Sequence, residues 1–244
     1  MSFPSDRPSP RRSFLGRLAG GVAALGLTGL VTTPAEAEEP NLDPAGLERD
    51  PLAETPGLSW DMSWVDRVTG TYRQVFDAPE IAEGTVVHQA RVFMSGFGEV
   101  YGAKDPELSA VMVFRHAAIP MAANDRLWDE LELGKRFKLK DPETGKHARR
   151  NPFLNANAPQ GAKYALIWPD GGLDTLIGRG AIALCCNLAL FRLVSMVAKQ
   201  DRIETGPARE KTLANLVPGV IVQPSGIFAV ARAEAAGCQY IRAT

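Results

Sequence analysis

The sequence predicts a three-layer α/β domain, in which a mainly parallel sheet of about five strands carries helices on both faces in a doubly wound, flavodoxin-like arrangement. Short, near-continuous apolar runs at 108–114 and 180–185 have the character of strands buried on both faces. Segments with helical spacing, at 86–101 and 187–199, separate such runs. Strand and helix then alternate to the C-terminus, and parallel neighbours are what crossover helices produce.

In chain order, residues 72–76 form the first expected strand, ended by Asp77, Ala78 and Pro79. Val87, Ala90, Phe93, Met94 and Phe97 make one stripe of a helix over 86–101, which Gly98 and Gly102 terminate. The strand 108–114 stops at Arg115 and His116. Pro120 opens a helix to Leu133, with Gly134 as its stop, because a first-turn proline loses no bond. Residues 135–170 are polar, basic and proline-containing, and their embedded Phe137, Phe153, Leu154 and Trp168 suggest an insertion that packs back as a covering loop. A short helix at 172–179, a strand at 180–185, helices at 187–199 and 209–215, a strand at 220–222, a helix at 226–236 and a strand at 238–241 complete the domain.

The first residues have a different character. Arg11 and Arg12 precede Ser13, Phe14 and Leu15, a twin-arginine export pattern. A glycine-diluted apolar stretch follows from Leu18 to Val31, and Ala35, Glu36 and Ala37 supply a small-x-small cleavage site. The expected organisation is a signal peptide over 1–37, a flexible acidic leader over 38–59, and a single domain over 60–244. The chain would then use the twin-arginine translocase and act in the periplasm. The apolar stretch is too short to span a bilayer stably, so no stable membrane span is expected.

Removing the signal takes away four arginines and two acids, leaving 23 basic and 26 acidic side chains. That balance argues against nucleic acid as a partner. The basic cluster Lys146, His147, Arg149 and Arg150 fits solvated surface better than an anion site. Three cysteines are too few for a disulfide framework, and without CxxC or CxxCH the sequence calls for no metal, haem or other cofactor. Dinucleotide, Walker, zincin and GxSxG motifs are absent after the signal.

In a parallel sheet the chemistry belongs at the carboxyl ends of the strands. Three such ends carry reactive or polar groups: Arg115 and His116; Cys185 and Cys186; and Gln223, Pro224 and Ser225. Asn187 opens a helix directly after Cys186, so a thiolate there would meet the helix dipole and free N–H groups. The pair equally suits buried packing, or a strained vicinal disulfide. His116 suits proton transfer, ligation or an ordinary strand end. His88 and His147 are assigned to solvent, and Cys238 to packing.

Residues LIGRGAIALCCNLAL, followed by LVPGVIVQPSGIFAVARAEAAGCQYIRAT, resemble the DsrE/DsrF-like family of sulfur-oxidation and sulfur-relay proteins. Gly180, Cys186, Asn187, Pro218, Gly219, Val220, Ser225, Gly226 and Gly237 occupy the family's pattern in order, and VMVFRHAAIP resembles its second strand with the histidine at His116. The likeness spans roughly 72–244, interrupted by the polar insertion. It implies a small three-layer domain, a homo-oligomeric habit and a cysteine persulfide at Cys186. Cys185 is an extra neighbour.

The expected function is that of a sulfur carrier or sulfurtransferase, with Cys186 and His116 central and Cys185, Arg115, Asn187 and Ser225 in support. Its partners would be a sulfur donor and acceptor. The alternative is a non-catalytic binding or assembly protein with inert cysteines. A soft-metal site from Cys185, Cys186 and His116 is a weaker third idea.

Overall fold

Leu108–Phe114 is apolar at six of seven positions and buried throughout, and strands of that kind belong in the middle of a two-faced sheet. The computed structural model describes residues 59–141, 144–155 and 170–244. Among these, β1 (Tyr72–Ala78), β2 (Leu108–Phe114), β3 (Ile182–Cys186), β4 (Val220–Gln223) and β5 (Gln239–Arg242) form one sheet in the order β4-β3-β2-β1-β5. Every neighbouring pair is parallel. The signal and leader, Ser59 excepted, lie outside the described residues, as do 156–169 with Trp168. No helix among the described residues is long and apolar enough to cross a membrane.

The helices are α1 (Thr85–Tyr101), α2 (Asp125–Glu130), α3 (Leu133–Arg136), α4 (Leu173–Gly178), α5 (Asn187–Asp201), α6 (Thr205–Leu213) and α7 (Gly226–Ala235). Side chains alternate across a strand, and that period sorts the core into two layers. On one face Phe76, Met112, Phe114, Ala183 and Cys185 pack with Val87, Ala90 and Met94 of α1 and Leu190, Leu193 and Val197 of α5. On the other, Val75, Val111, Val113, Ile182 and Leu184 meet Ala229, Val230 and Ala233 of α7. Trp64, in the 3-10 turn Ser63–Arg67, completes this second layer. The predicted three-layer α/β architecture is therefore the one observed.

Connections from β1 to β4 step across the sheet through helices on the first face. The link from β4 to β5 is α7, which crosses all five strands on the second face and sets β5 beside β1. Adjacent strands β3 and β4 consequently send their following helices to opposite sides. In parallel sheets such a divergence is where a ligand crevice is expected, at the strands' carboxyl ends.

The main departure from the expected elements lies between β2 and α4. Pro120 does not open one long helix. It sits inside a 3-10 segment, His116–Ala122, with its carbonyl accepting from the Trp128 indole N–H at 3.0 Å. The helical start is set instead by Asn124, whose side chain caps the Leu127 amide. Gly134 is no stop but part of α3, because a Cβ there would stand 2.6 Å from the Ala148 amide nitrogen and closer still to its carbonyl oxygen. Within the described part of the insertion, Phe153 is buried edge-on to Trp128 with ring centroids 6.3 Å apart. Buried Asn151 donates to the Met121 and Ala123 carbonyls.

Smaller shifts have local reasons. β1 continues through Asp77 and Ala78, because its ladder with β2 runs to the Ala78–Phe114 pair. α6 starts at Thr205, four residues ahead of the expected boundary, since Pro207 fits a first turn.

The close approach at Gly134 yields a test. Gly134→Ala is expected to destabilise the protein by about 2 kcal/mol, the typical cost of overpacking, measured as a lower urea midpoint with an unchanged m-value.

Candidate functional site

The crevice between β3 and β4 is lined by the ends of two strands and the starts of two helices. Phe114 pairs with Cys185 at the last rung of that ladder, and Arg115, just past the end of β2, is near enough to Cys186 to be affected by its charge. Cys186 in turn pairs with Gln223. Register partners in a parallel ladder point to the same side, and alternation from Leu184 and Val113 places Cys186, Gln223 and Arg115 on the α7 face. Cys185 faces the opposite layer. All three cysteines are free thiols.

Cys186 retains 6 % exposure and occupies the N-cap of α5 with extended backbone angles. Its side chain makes no capping hydrogen bond, so the first-turn amides of α5 have no side-chain cap. The neighbouring helix is finished differently: Ser225 at the N-cap of α7 accepts from the Phe228 amide at 3.1 Å. Of the two helix starts at this crevice, the one carrying the thiol is the one left uncapped.

Arg115 is fixed from behind. Its Nε and Nη2 donate to the two oxygens of Asp77 at 2.6 and 2.8 Å, and the Tyr240 hydroxyl donates to the same carboxylate at 3.0 Å. Asp77 is 2 % exposed, and these three donors satisfy its carboxylate in the interior. The hydrogen bonds to Asp77 hold the guanidinium above its ordinary pKa, against partial burial, and the negative potentials of Asp77, Tyr240 and Cys186 add to the effect. Tyr240 is also raised, first by partial burial and then by its bond to Asp77. The stem of Arg115 lies against Gly226, where a Cβ would stand 2.5 Å from the Arg115 Cβ. Glycine is thus required at the first residue of α7.

Two further polar residues are neighbours of Cys186, one across the ladder and one next in the chain. Gln223 is fully buried, and its Nε2 donates to the Asp61 carbonyl at 2.8 Å and to that of Val222 at 3.0 Å. Those bonds fix the amide orientation and leave Oε1 with no donor. Asn187, 4 % exposed, likewise leaves Oδ1 without a partner.

The sequence-derived candidates thus divide. Arg115, Cys186 and Ser225 lie together at the carboxyl ends of the strands, whereas Asn187 falls on the α5 stripe with Leu190, Val194 and Val197. Cys185 is separated from it by the pleat, and burial pushes its thiol well up, with Cys186 adding and Arg209 opposing. His116 is exposed and begins its 3-10 segment with φ 49°, a left-handed conformation held by the Arg115 amide on the Ala78 carbonyl and the Ala117 amide on that of Pro79. It sits one residue past the position that shares the face of Cys186. Among the described residues no group of three or more His, Cys, Asp and Glu side chains is placed to hold a metal. His88 and His147 are exposed, as are Lys146, Arg149 and Arg150, with Arg149 paired to Asp129. Cys238 is buried in the second layer. Asp77 and Tyr240 escaped the sequence reading, although a carboxylate at the end of an apolar strand is itself a signal for a buried cationic partner.

No family model matches the chain. No curated protein matches it. Among solved structures the chain is similar to a protein of unknown function from Methanobacterium thermoautotrophicum, with 15 % identity over 70 % of this chain and 98 % of that one, at a TM-score of 0.36.

The thiols differ enough to be separated chemically. Burial raises the Cys238 thiol to about 11 and Cys185 further, so at pH 8 about one Cys238 in a thousand is thiolate. Brief iodoacetamide treatment of the native protein at pH 8 should leave both unlabelled and modify Cys186 first, as read by peptide mass spectrometry. Labelling of Cys238 or Cys185 ahead of Cys186 would contradict the assignment.

Proposed function

We propose that this is a periplasmic, DsrE-like protein, exported through the twin-arginine pathway, that carries or transfers sulfane sulfur as a persulfide on Cys186. The observation that best supports the reading is the start of α5, which takes no side-chain cap and has Cys186 as its N-cap residue, with Arg115 near enough to feel the charge of that thiol. First-turn amides stabilise negative charge at such a position.

The transfer requires no redox partner. The Cys186 thiolate attacks the outer sulfur of a donor persulfide, R–S–S⁻; a new Sγ–S bond forms, the donor's own S–S bond breaks, and R–S⁻ leaves with the displaced electron pair. The outer negative charge then resides on the Cys186 persulfide, within reach of the α5 amides. A thiolate acceptor reverses the sequence. His116, exposed beside the crevice, would exchange the thiol proton with solvent. Asp77 and Tyr240 act through Arg115.

A second reading is a binding or assembly protein with inert cysteines, and a homo-oligomer is part of either. It is favoured by the apolar residues left exposed along α1, with Val92 at 49 %, Val100 at 72 % and Tyr101 at 67 %.

The two readings part on a single experiment. Native protein treated with inorganic polysulfide and then blocked should gain one sulfur atom, about 32 Da, on the Cys186 peptide, and Cys186→Ala should abolish the gain while circular dichroism stays unchanged. Persulfide retained in Cys186→Ala, or none in the wild-type protein, would leave the binding reading in its place.

A further inference from the structure

The insertion between β2 and α4 gathers a charge that the rest of the protein does not share. Residues 135–150 hold seven lysines and arginines against Asp141 and Glu143, a net charge of +5. The remainder of the chain beyond residue 37 holds 16 basic and 24 acidic side chains. Near-neutrality of the whole thus conceals a strong separation of sign.

Folding fixes that charge in place. α3 is followed by a short hairpin, in which Lys140 and His147 form an antiparallel bridge and the Ala148 amide donates to the Leu139 carbonyl at 3.0 Å. Leu139 and Ala148 pack on the first core layer, with Ala148 pressed against Gly134. Alternation therefore turns Lys140 and His147 outward, and both are exposed. Lys135, Arg136, Lys138, Lys146, Arg149 and Arg150 are exposed around them. Arg192 of α5 joins this face, its guanidinium 5.0 Å from the centre of the Phe137 ring. Of the nearby acids, Asp129 is taken by Arg149 and Glu132 lies 3.8 Å from Lys135. Lys138, Lys140, Lys146 and Arg150 make no ion pair among the described residues.

We propose that this face docks the protein on an anionic phospholipid surface. An acidic protein partner presents carboxylates at fixed places, and holding it takes aromatic or arginine anchors at a buried centre. The hairpin face has no exposed aromatic side chain among the described residues. Two of the insertion's three arginines are already tied back, Arg136 to the Leu131 carbonyl and Arg149 to Asp129. What remains free is chiefly lysine, a hydrated point charge on a flexible stem, which suits a fluid layer of phosphates that needs no matching shape. Leu188, one turn before Arg192 on α5 and 46 % exposed, adds an apolar contact at the rim. The acidic remainder of the chain is repelled by the same surface, so the domain is held with its insertion toward the lipid. This docking is independent of the chemistry at Cys186.

Co-sedimentation of the purified full chain with vesicles tests the idea. Binding to vesicles of phosphatidylglycerol and phosphatidylcholine in equal amounts should be at least about tenfold tighter than to phosphatidylcholine alone, and that advantage should vanish as salt rises to about 0.5 M. Lys140→Glu with Lys146→Glu should remove at least about tenfold of the affinity for the anionic vesicles. Arg67→Glu with Arg232→Glu makes the same change of charge on the α7 side and should alter it by no more than about twofold. Residues 1–37 carry arginines of their own and are common to every variant, so the difference between the two pairs reads the insertion alone. Circular dichroism should be unchanged in both, and Lys138→Glu with Arg150→Glu repeats the test where the first pair impairs folding. No binding to the anionic vesicles, equal binding to both kinds, or equal losses in patch and control variants overturns the proposal. Poly-L-glutamate bound where anionic vesicles are not also overturns it, and assigns the face to an acidic protein instead.

Discussion

Most of what distinguishes one thiol from the other in this protein follows from the two-residue period of a single strand. β3 is buried along its whole length, so each of its side chains is committed to one layer or the other. Ala183 and Cys185 belong to the layer beneath α1 and α5, whereas Ile182, Leu184 and Cys186 face α7. A slip of one residue would exchange the cysteines, sending Cys186 into the apolar layer and Cys185 toward Arg115. The ladders on either side prevent that slip. β2 and β4 lock β3 at Phe114–Cys185 and Cys186–Gln223, and the wall of buried aliphatic residues on both faces penalises any other register.

The same geometry explains why Arg115 can approach the crevice without destabilising the sheet. A guanidinium near the buried end of a strand needs a counter-charge, and Asp77 on the next strand supplies one through two hydrogen bonds of good length. Asp77 is itself dehydrated, and the third donor, from Tyr240 on β5, fills a remaining lone pair. The network therefore joins β5, β1 and β2 and ends beside the thiol of β3. α7 must pass close over it, which Gly226 permits by having no side chain. Closure of the sheet by the return crossover and placement of the charge thus depend on one another: moving α7 away would free space for a side chain at 226 and expose the Arg115 stem.

The layered architecture was readable because it rests on hydrophobic period, and Leu108–Phe114 and the α1 stripe are unambiguous in that respect. Boundaries failed where a residue's local preference was overruled by tertiary contact. Gly134 resembles a helix terminator in sequence, yet it is small because Ala148 presses on it. Pro120 suits a helical first turn, but Asn124 competes for the start and prevails by capping. The candidates Cys186, Asn187, Arg115 and Ser225 came from the rule that parallel strands offer chemistry at their carboxyl ends. That rule does not say which face a residue takes, so Cys185 and His116 were grouped with them. Asp77 was read as a strand terminator because the local signal, a carboxylate at the end of an apolar strand, does not name its partner, and Arg115 follows a different strand.

The contrast between the two helix starts at the crevice bears on why the arrangement persists. α7 shows that this fold can close a helix end with an ordinary serine cap, worth about 1 kcal/mol. α5, one strand away, forgoes that stabilisation and places a thiol at the cap, with unsatisfied carbonyls at the next residue and across the ladder. A serine at 186 and an apolar residue at 187 would each be expected to make the empty protein more stable, since neither change disturbs the ladder or the layers. An uncapped start is shared by α1, α3, α4 and α6, so what sets α5 apart is the residue at its N-cap, a thiol that faces α7 while the helix it opens packs on the other face of the sheet.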